Sequence, residues 1–299
     1  MAAEQAQTHT IERFGVQLFT LAPMLADDPE ATLKLVADSG YKEVEFFGPY
    51  DFSPPEAIAA WAPLAAHMGI NRNAYFGMTP HEIKARLDHY GLSSPSAHAD
   101  LLTVRARLAE LAEAARIIGQ RYIVIPSARS ETLDTLDDYR RLAAELNEIG
   151  ARADALGVRF GYHNHGYENA PIDGRIPYEV LLEETDPALV TMELDLFWMI
   201  AGGGDPLALL DTYPGRFALL HIKDMSRIVR FAGRGQTPQE WMELFPEMRD
   251  AGDGVLDLQT ILARAQQAGV QHFLLERDLA AEPLRTLQTS FKALAHQNT

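Results

Sequence analysis

The chain has 299 residues, 47% of them hydrophobic, enough to bury the core of one large α/β domain or of two smaller ones. Its 42 acidic and 26 basic residues give a formal net charge of -16 with no local basic stripe, which argues against a nucleic-acid partner. No apolar run approaches the roughly 20 residues that span a bilayer, residues 1–13 lack the order of a secretory signal, and cysteine is absent, so a cytoplasmic protein without a membrane partner is expected and any metal site must be built from His, Asp and Glu.

After the N-terminal extension of residues 1–13, eight β-rich runs alternate with helical patterns: Gly15 to Thr20, Glu43 to Phe47, Ser94 to Ala99, Tyr122 to Pro126, Arg159 to His165, Val190 to Phe197, Ala218 to Lys223 and His272 to Glu276. Five of the intervening helical patterns end in glycine (VADSG, LDHYG, ARIIG, ADALG and ARAQQAG), the residue favoured just past a helix C-terminus. The longest, Leu133 to Leu156, carries Leu142, Leu146, Ile149 and Ala153 at helical spacing and reads as an outer-ring helix. Residues 51–78 and 225–256 are long for connections, and on such a fold they are candidates for closing over a substrate or for forming a homo-oligomer contact.

Eight strands in unbroken alternation predict a single (β/α)8 TIM-barrel domain over residues 1–299. The competing doubly wound open sheet would call for a glycine-rich phosphate loop, and GxGxxG is absent; Gly202 to Gly204 reads as a turn.

Ionisable residues collect at the C-terminal ends of the strands, where barrel enzymes place their chemistry: His163 and His165, Glu193 and Asp195, His221 and Lys223, Glu276 and Arg277. Charge inside a barrel is costly unless it is paired or binds a metal. Strand alternation puts each of the first three pairs on one face, so an inward set of His163, Asp195, His221 and Glu276 offers two imidazoles and two carboxylates to one divalent ion. That donor set suits Mn, Mg or Co, and Zn as well, with Mn the first choice. His165 is a candidate base, Glu193 a second carboxylate and Lys223 an electrostatic stabiliser. His98, Trp198 and Arg277 are candidate substrate contacts, each with a plainer alternative as a satisfied core histidine, a core aromatic and a paired arginine.

The runs GVQL, YHNHGYE, MELDLFW, HIKDM and GDGVLDLQTILARAQQAGVQHFLLERD resemble the xylose isomerase-like barrel superfamily, and within it the sugar phosphate isomerase/epimerase group with an HNH motif. The resemblance implies a metal bound at the ends of strands five to eight, typically by Glu, Asp, His and Glu. Asp195, His221 and Glu276 match that pattern, and His163 stands where many epimerases have Glu. It further implies a small carbohydrate substrate and proton transfer beside a metal-polarised carbonyl, with Glu276 as one of the metal-associated carboxylates that exchange the proton. Isomerase or epimerase action on a sugar or keto-sugar is therefore expected. The alternative is a lyase or dehydratase acting on a keto-inositol or 3-keto-glycoside; less favoured are a multi-metal DNA-repair endonuclease and a non-catalytic barrel subunit.

Overall fold

A computed structural model describes residues 11–70, 75–128 and 133–296. Eight parallel strands, Phe14–Gln17, Glu43–Phe47, Ser96–His98, Tyr122–Ile125, Arg159–His163, Val190–Asp195, Phe217–Ile222 and His272–Leu275, pair in sequence order and close when the first joins the eighth. The (β/α)8 barrel is thus the fold, and a helix follows every strand before the next begins. The glycine stops hold: Gly40, Gly91, Gly119, Gly157 and Gly269 all have positive φ. The long helix runs Leu136–Ala155, entered through a Thr135 and Asp138 capping box, and buries Leu142, Leu146, Ile149 and Ala153. The first few residues of the N-terminal extension, 1–10, lie outside the described residues.

Several strands stop short of their sequence-based ends for a local reason. Gln17 turns its side chain to accept from the Phe19 N–H, so residues 18–21 coil into a 3₁₀ turn. Asp195 caps the helix Leu196–Ala201 through the Trp198 N–H, which takes Leu196 and Phe197 out of strand six. Strand five ends at His163, leaving His165 beyond the ladder.

The long connections are partly helical. Residues 51–78 contain the helix Pro55–His67, and their stretch 71–74 lies outside the described residues. Residues 225–256 contain the helix Pro238–Leu244 and one side of a two-stranded pair, Asp224–Met225 with Met248–Arg249. The Asp224 carboxylate gathers both roots of this segment, accepting from the N–H groups of Met225, Gly252, Gly254 and Leu256 at 2.8 to 3.1 Å. Among the described residues no helix is long and apolar enough to cross a membrane.

The two faces of the strands differ sharply. Outward residues such as Val44, Phe46, Leu194, Leu220 and Ile222 join the main core under the helices. The interior holds a small apolar plug of Tyr122, Val124, Leu219 and Leu274, and above it the inward positions are polar.

Candidate metal centre

Two tiers of polar side chains fill the barrel above the plug. The lower tier is Gln17, Glu45, His98 and Glu193, all buried. Glu193 Oε2 lies 2.6 Å from His98 Nε2 and 3.0 Å from His163 Nδ1. Glu45 Oε2 lies 2.7 Å from His221 Nε2 and accepts from the Gln17 amide at 2.8 Å. The upper tier is built on the outer ends of the same rings. His221 Nδ1 is 2.7 Å from Glu276 Oε2, and Asp195 Oδ2 lies 3.7 Å from His163 Nε2 and 3.9 Å from His221 Nδ1. The Lys223 ammonium sits among three carboxylates, 3.0 Å from Asp195, 2.7 Å from Glu276 and 2.7 Å from Asp278.

These contacts set the charges. Burial alone would neutralise Glu45 and Glu193, yet the His98 and His221 rings beside them hold both carboxyls well below the ordinary range. Burial likewise opposes charge on His98, but Glu45 and Glu193 push it up to about 10. His163 goes the other way: burial dominates and keeps its ring neutral despite the bond to Glu193. Burial pushes the Asp195 carboxyl up, against the pull of Lys223 and His221.

Two groups of side chains bring metal-ligating atoms within 4.8 Å of one another: His98, His163, Glu193 and His221 below, and Asp195, His221 and Glu276 above. The structure therefore brings Asp195, His221 and Glu276 together as the sequence spacing suggests, with His163 at the junction of the tiers. The residues fit a divalent ion. The donors are imidazole and carboxylate, and the buried Asp195 Oδ2 has no hydrogen bond beside its 3.0 Å ion pair with Lys223.

The remaining candidates are redistributed. Glu193 is fully buried in the lower tier, its Oε2 between His98 and His163 and its Oε1 3.2 Å from His221 Nε2, which sets it away from the mouth. His98 belongs to that tier too, tied to Glu193 and 3.2 Å from Glu45, which makes it a satisfied core histidine. Trp198 is buried, 1% exposed, and its ring lies between the Phe231 ring, stacked at 5.8 Å, and the site, where the His165 ring stacks at 5.8 Å and the Lys223 ammonium lies 5.6 Å from its centre. Arg277 pairs with Asp250 and meets Thr286 of the C-terminal helix, outside the barrel interior.

His165 stays at the mouth. Its ring lies 4.8 Å from that of His163, stacks on Trp241 of the covering segment at 4.6 Å, and carries a buried Nδ1 without a partner. Burial, reinforced by the Lys223 charge, keeps it neutral. Its loop is fixed from two sides. Glu168, buried behind the strands, accepts from the His165 N–H at 3.2 Å and from the Tyr162 hydroxyl at 2.6 Å. Gly166, at φ 86°, packs so closely on the helix after strand six that a Cβ would meet the Trp198 carbonyl at 2.3 Å. Asn164 locks strands five and six, donating to the Asp195 carbonyl at 3.2 Å and accepting from its N–H at 2.9 Å.

Sequence reasoning missed Glu45, Gln17, Glu168 and Trp241 and gave Asp278, at the ionisable end of strand eight, no role. For Glu45 a signal existed: EVEFF is a barrel strand buried on both faces, so its alternate glutamates had to face something polar.

The model of the Xylose isomerase-like TIM barrel family matches residues 33–294. The chain belongs to this family. Its curated relatives include the inosose dehydratase of Lacticaseibacillus casei, 26% identical over 146 residues. That match covers 47% of each chain, so it spans about half the length of the relative. Among solved structures, a sugar phosphate isomerase/epimerase from Parabacteroides distasonis ATCC 8503 superposes with a TM-score of 0.71 at 22% identity, covering 99% of this chain and 98% of the other. The IolI protein with a bound zinc atom superposes with a TM-score of 0.64 at 13% identity, covering 96% of each. At these identities the structural likeness speaks for the xylose isomerase-like barrel alone. The proteins the chain resembles thus carry the names of a sugar phosphate isomerase/epimerase and of inosose dehydratases.

Proposed function

We propose that the chain is a divalent-metal-dependent lyase of the dehydratase kind, which removes the carbon-bound proton beside the carbonyl of a small keto-polyol or keto-sugar and expels the neighbouring hydroxyl as water. The ion would be held by His163, Asp195, His221 and Glu276, with Mn the first choice and Co, Mg or Zn as substitutes. When bound, it supplies Lewis-acid polarisation of the substrate oxygens, which acidifies the adjacent carbon-bound hydrogen.

The protein's own residues divide the rest. His165, neutral and with a free Nδ1 lone pair, takes the proton from carbon. Lys223 faces the developing negative charge on oxygen. Burial pushes the Asp278 carboxyl up against the pull of Lys223, so it can hold the proton that leaves with the β-hydroxyl. The segment carrying Trp241 keeps water from the mouth.

The observation that carries this reading is the burial of Glu193. Epimerisation needs a proton-transferring group on each face of the substrate, and the carboxylate that could have paired with His165 is engaged below. Elimination needs one base and one acid at the mouth. The relatives named inosose dehydratase support the same choice. Isomerisation or epimerisation remains the second reading, favoured by Glu276, a carboxylate in the upper tier that could return a proton.

The test is incubation of Mn-loaded protein in deuterated water with a panel of keto-inositols and 3-keto-glycosides. Loss of water or of an aglycone is expected, with solvent deuterium exchange at the carbon beside the carbonyl, both abolished by a chelator. His165→Ala should slow exchange by at least about a hundredfold, the lower scale of general-base catalysis. Turnover of a verified substrate with no isotope effect at that carbon would overturn the assignment.

A further inference from the structure

The lower tier has no direct part in that chemistry, yet it buries two charged carboxylates in the centre of the barrel, a costly arrangement that needs a reason. A neutral imidazole carries one N–H, and whichever nitrogen donates it leaves the other with a free lone pair. His163 presents Nδ1 to Glu193 at 3.0 Å, and His221 presents Nε2 to Glu45 and Nδ1 to Glu276, both at 2.7 Å, so the nitrogen that faces the upper tier is Nε2 in His163 and Nδ1 in His221. We infer that Glu193 and Glu45 are positioning residues that fix the tautomers of the two histidines, committing Nε2 of His163 and Nδ1 of His221 to the cation.

The inference rests on the metal-dependent reading above, and it also chooses between the two groups that can surround an ion. In the lower group the nitrogens of His98, His163 and His221 are each already within 3.0 Å of a carboxylate oxygen. Glu193 Oε2 serves two rings, and the Gln17 amide holds Glu45 in place from the far side. In the upper group His163 Nε2 lies 3.7 Å from Asp195 Oδ2, an oxygen that meets the Lys223 ammonium at 3.0 Å. An ion in the upper group displaces the contact between His221 Nδ1 and Glu276, two of its own ligands, and leaves every lower bond intact, whereas an ion on the bonded nitrogens of the lower group must break those bonds. His98, held between Glu193 and Glu45, completes the lower shell and offsets part of its negative charge. A carboxylate behind a ligating imidazole also raises its basicity and strengthens the bond to the metal.

The experiment is nitrogen-15 spectroscopy of the histidine rings in the full-length protein, metal-free and loaded with cadmium-113. In the loaded protein, cadmium coupling is expected at His163 Nε2 and His221 Nδ1, with none at His98. Glu193→Gln and Glu45→Gln keep an acceptor of the same shape but remove its charge. Each should weaken cadmium binding by about 10- to 100-fold without unfolding the barrel, and Glu193→Gln should add the Nε2–H form of His163. Coupling at His221 Nε2 or at His98 would place the ion in the lower group and overturn the inference. The metal-free protein gives an independent reading: His163 should be the Nδ1–H tautomer, and finding Nε2–H overturns the inference with no metal involved. Failure of the wild-type protein to bind cadmium would instead remove the metal-dependent function and leave the tautomer result to stand or fall by itself.

Discussion

The outward and inward faces of the same strands respond to opposite demands. On strand six, Met192 and Leu194 pack outward into the main core, while Glu193 and Asp195, their immediate neighbours in sequence, reach hydrogen-bond partners and the cation position inside the barrel. On strand seven and just past its end Leu220 and Ile222 alternate with His221 and Lys223 in the same way. Stability and chemistry are thus interleaved residue by residue, and what a substitution does is set by the parity of its position. Adjacent variants should therefore fail for unrelated reasons. Leu194→Ala should cost about 2–5 kcal/mol, as deletion of a buried leucine side chain does, and keep metal stoichiometry in the fraction that folds. Asp195→Asn retains the helix cap at Trp198 and should change stability by less than about 1 kcal/mol while losing the metal. Denaturant melts alongside elemental analysis decide it, and a pair of variants with the same profile would break the parity rule.

The parity was legible in the sequence, since alternation and glycine stops suffice to lay out eight βα units. What each inward residue would touch was not. Placing Glu193 at the mouth assumed that two carboxylates on one face reach the same height, but 193 and 195 lie two residues apart along a strand that rises about 3.3 Å per residue, so they occupy different tiers. Arg277 follows a related lesson, since it falls on outward parity after Glu276 and pairs with Asp250. The partner of His165, Trp241, comes from a covering segment more than seventy positions later, and no local pattern announces such a contact.

Glu168 is the exception on the outward side, a carboxyl buried among Tyr162, Tyr167 and the apolar core where the comparison calls for hydrocarbon. Burial, partly offset by the Tyr162 hydroxyl and backbone N–H groups, pushes it from 4.5 up to about 7. A carboxyl whose folded-state value is raised binds its proton more tightly when folded. Its contribution is fully present below about pH 4.5 and is lost as pH rises through 7. Glu168→Gln has no such loss, so between pH 5 and 8 the variant should gain on the wild type by up to the order of 3 kcal/mol. Thermal melts of both across that range measure it. A difference that stays constant with pH would mean that Glu168 is ionised throughout and that the outward face tolerates a buried charge.

The smallest expected effect concerns Lys223, whose ammonium is buried in the upper tier. Its ammonium lies 3.0 Å from Asp195 Oδ2 and 2.7 Å from Glu276 Oε2, oxygens that the metal would also need, and 2.7 Å from Asp278. Two positive charges this close repel, so ion and ammonium compete for the same carboxylates. Lys223→Met keeps the stem and removes the competitor, leaving Asp195, Glu276 and Asp278 without a counter-charge in a buried site. Mn should then bind about tenfold more tightly, roughly 1.4 kcal/mol, even as turnover falls for want of the group that faces the developing oxyanion. Calorimetric titration of metal-free protein reads the affinity directly. Tighter binding with lost activity would establish that Lys223 serves the reaction at the expense of the ion. Weaker binding would instead mean that the ammonium organises the carboxylates for the metal, and the upper tier would then be a cooperative site in which lysine and ion are held together.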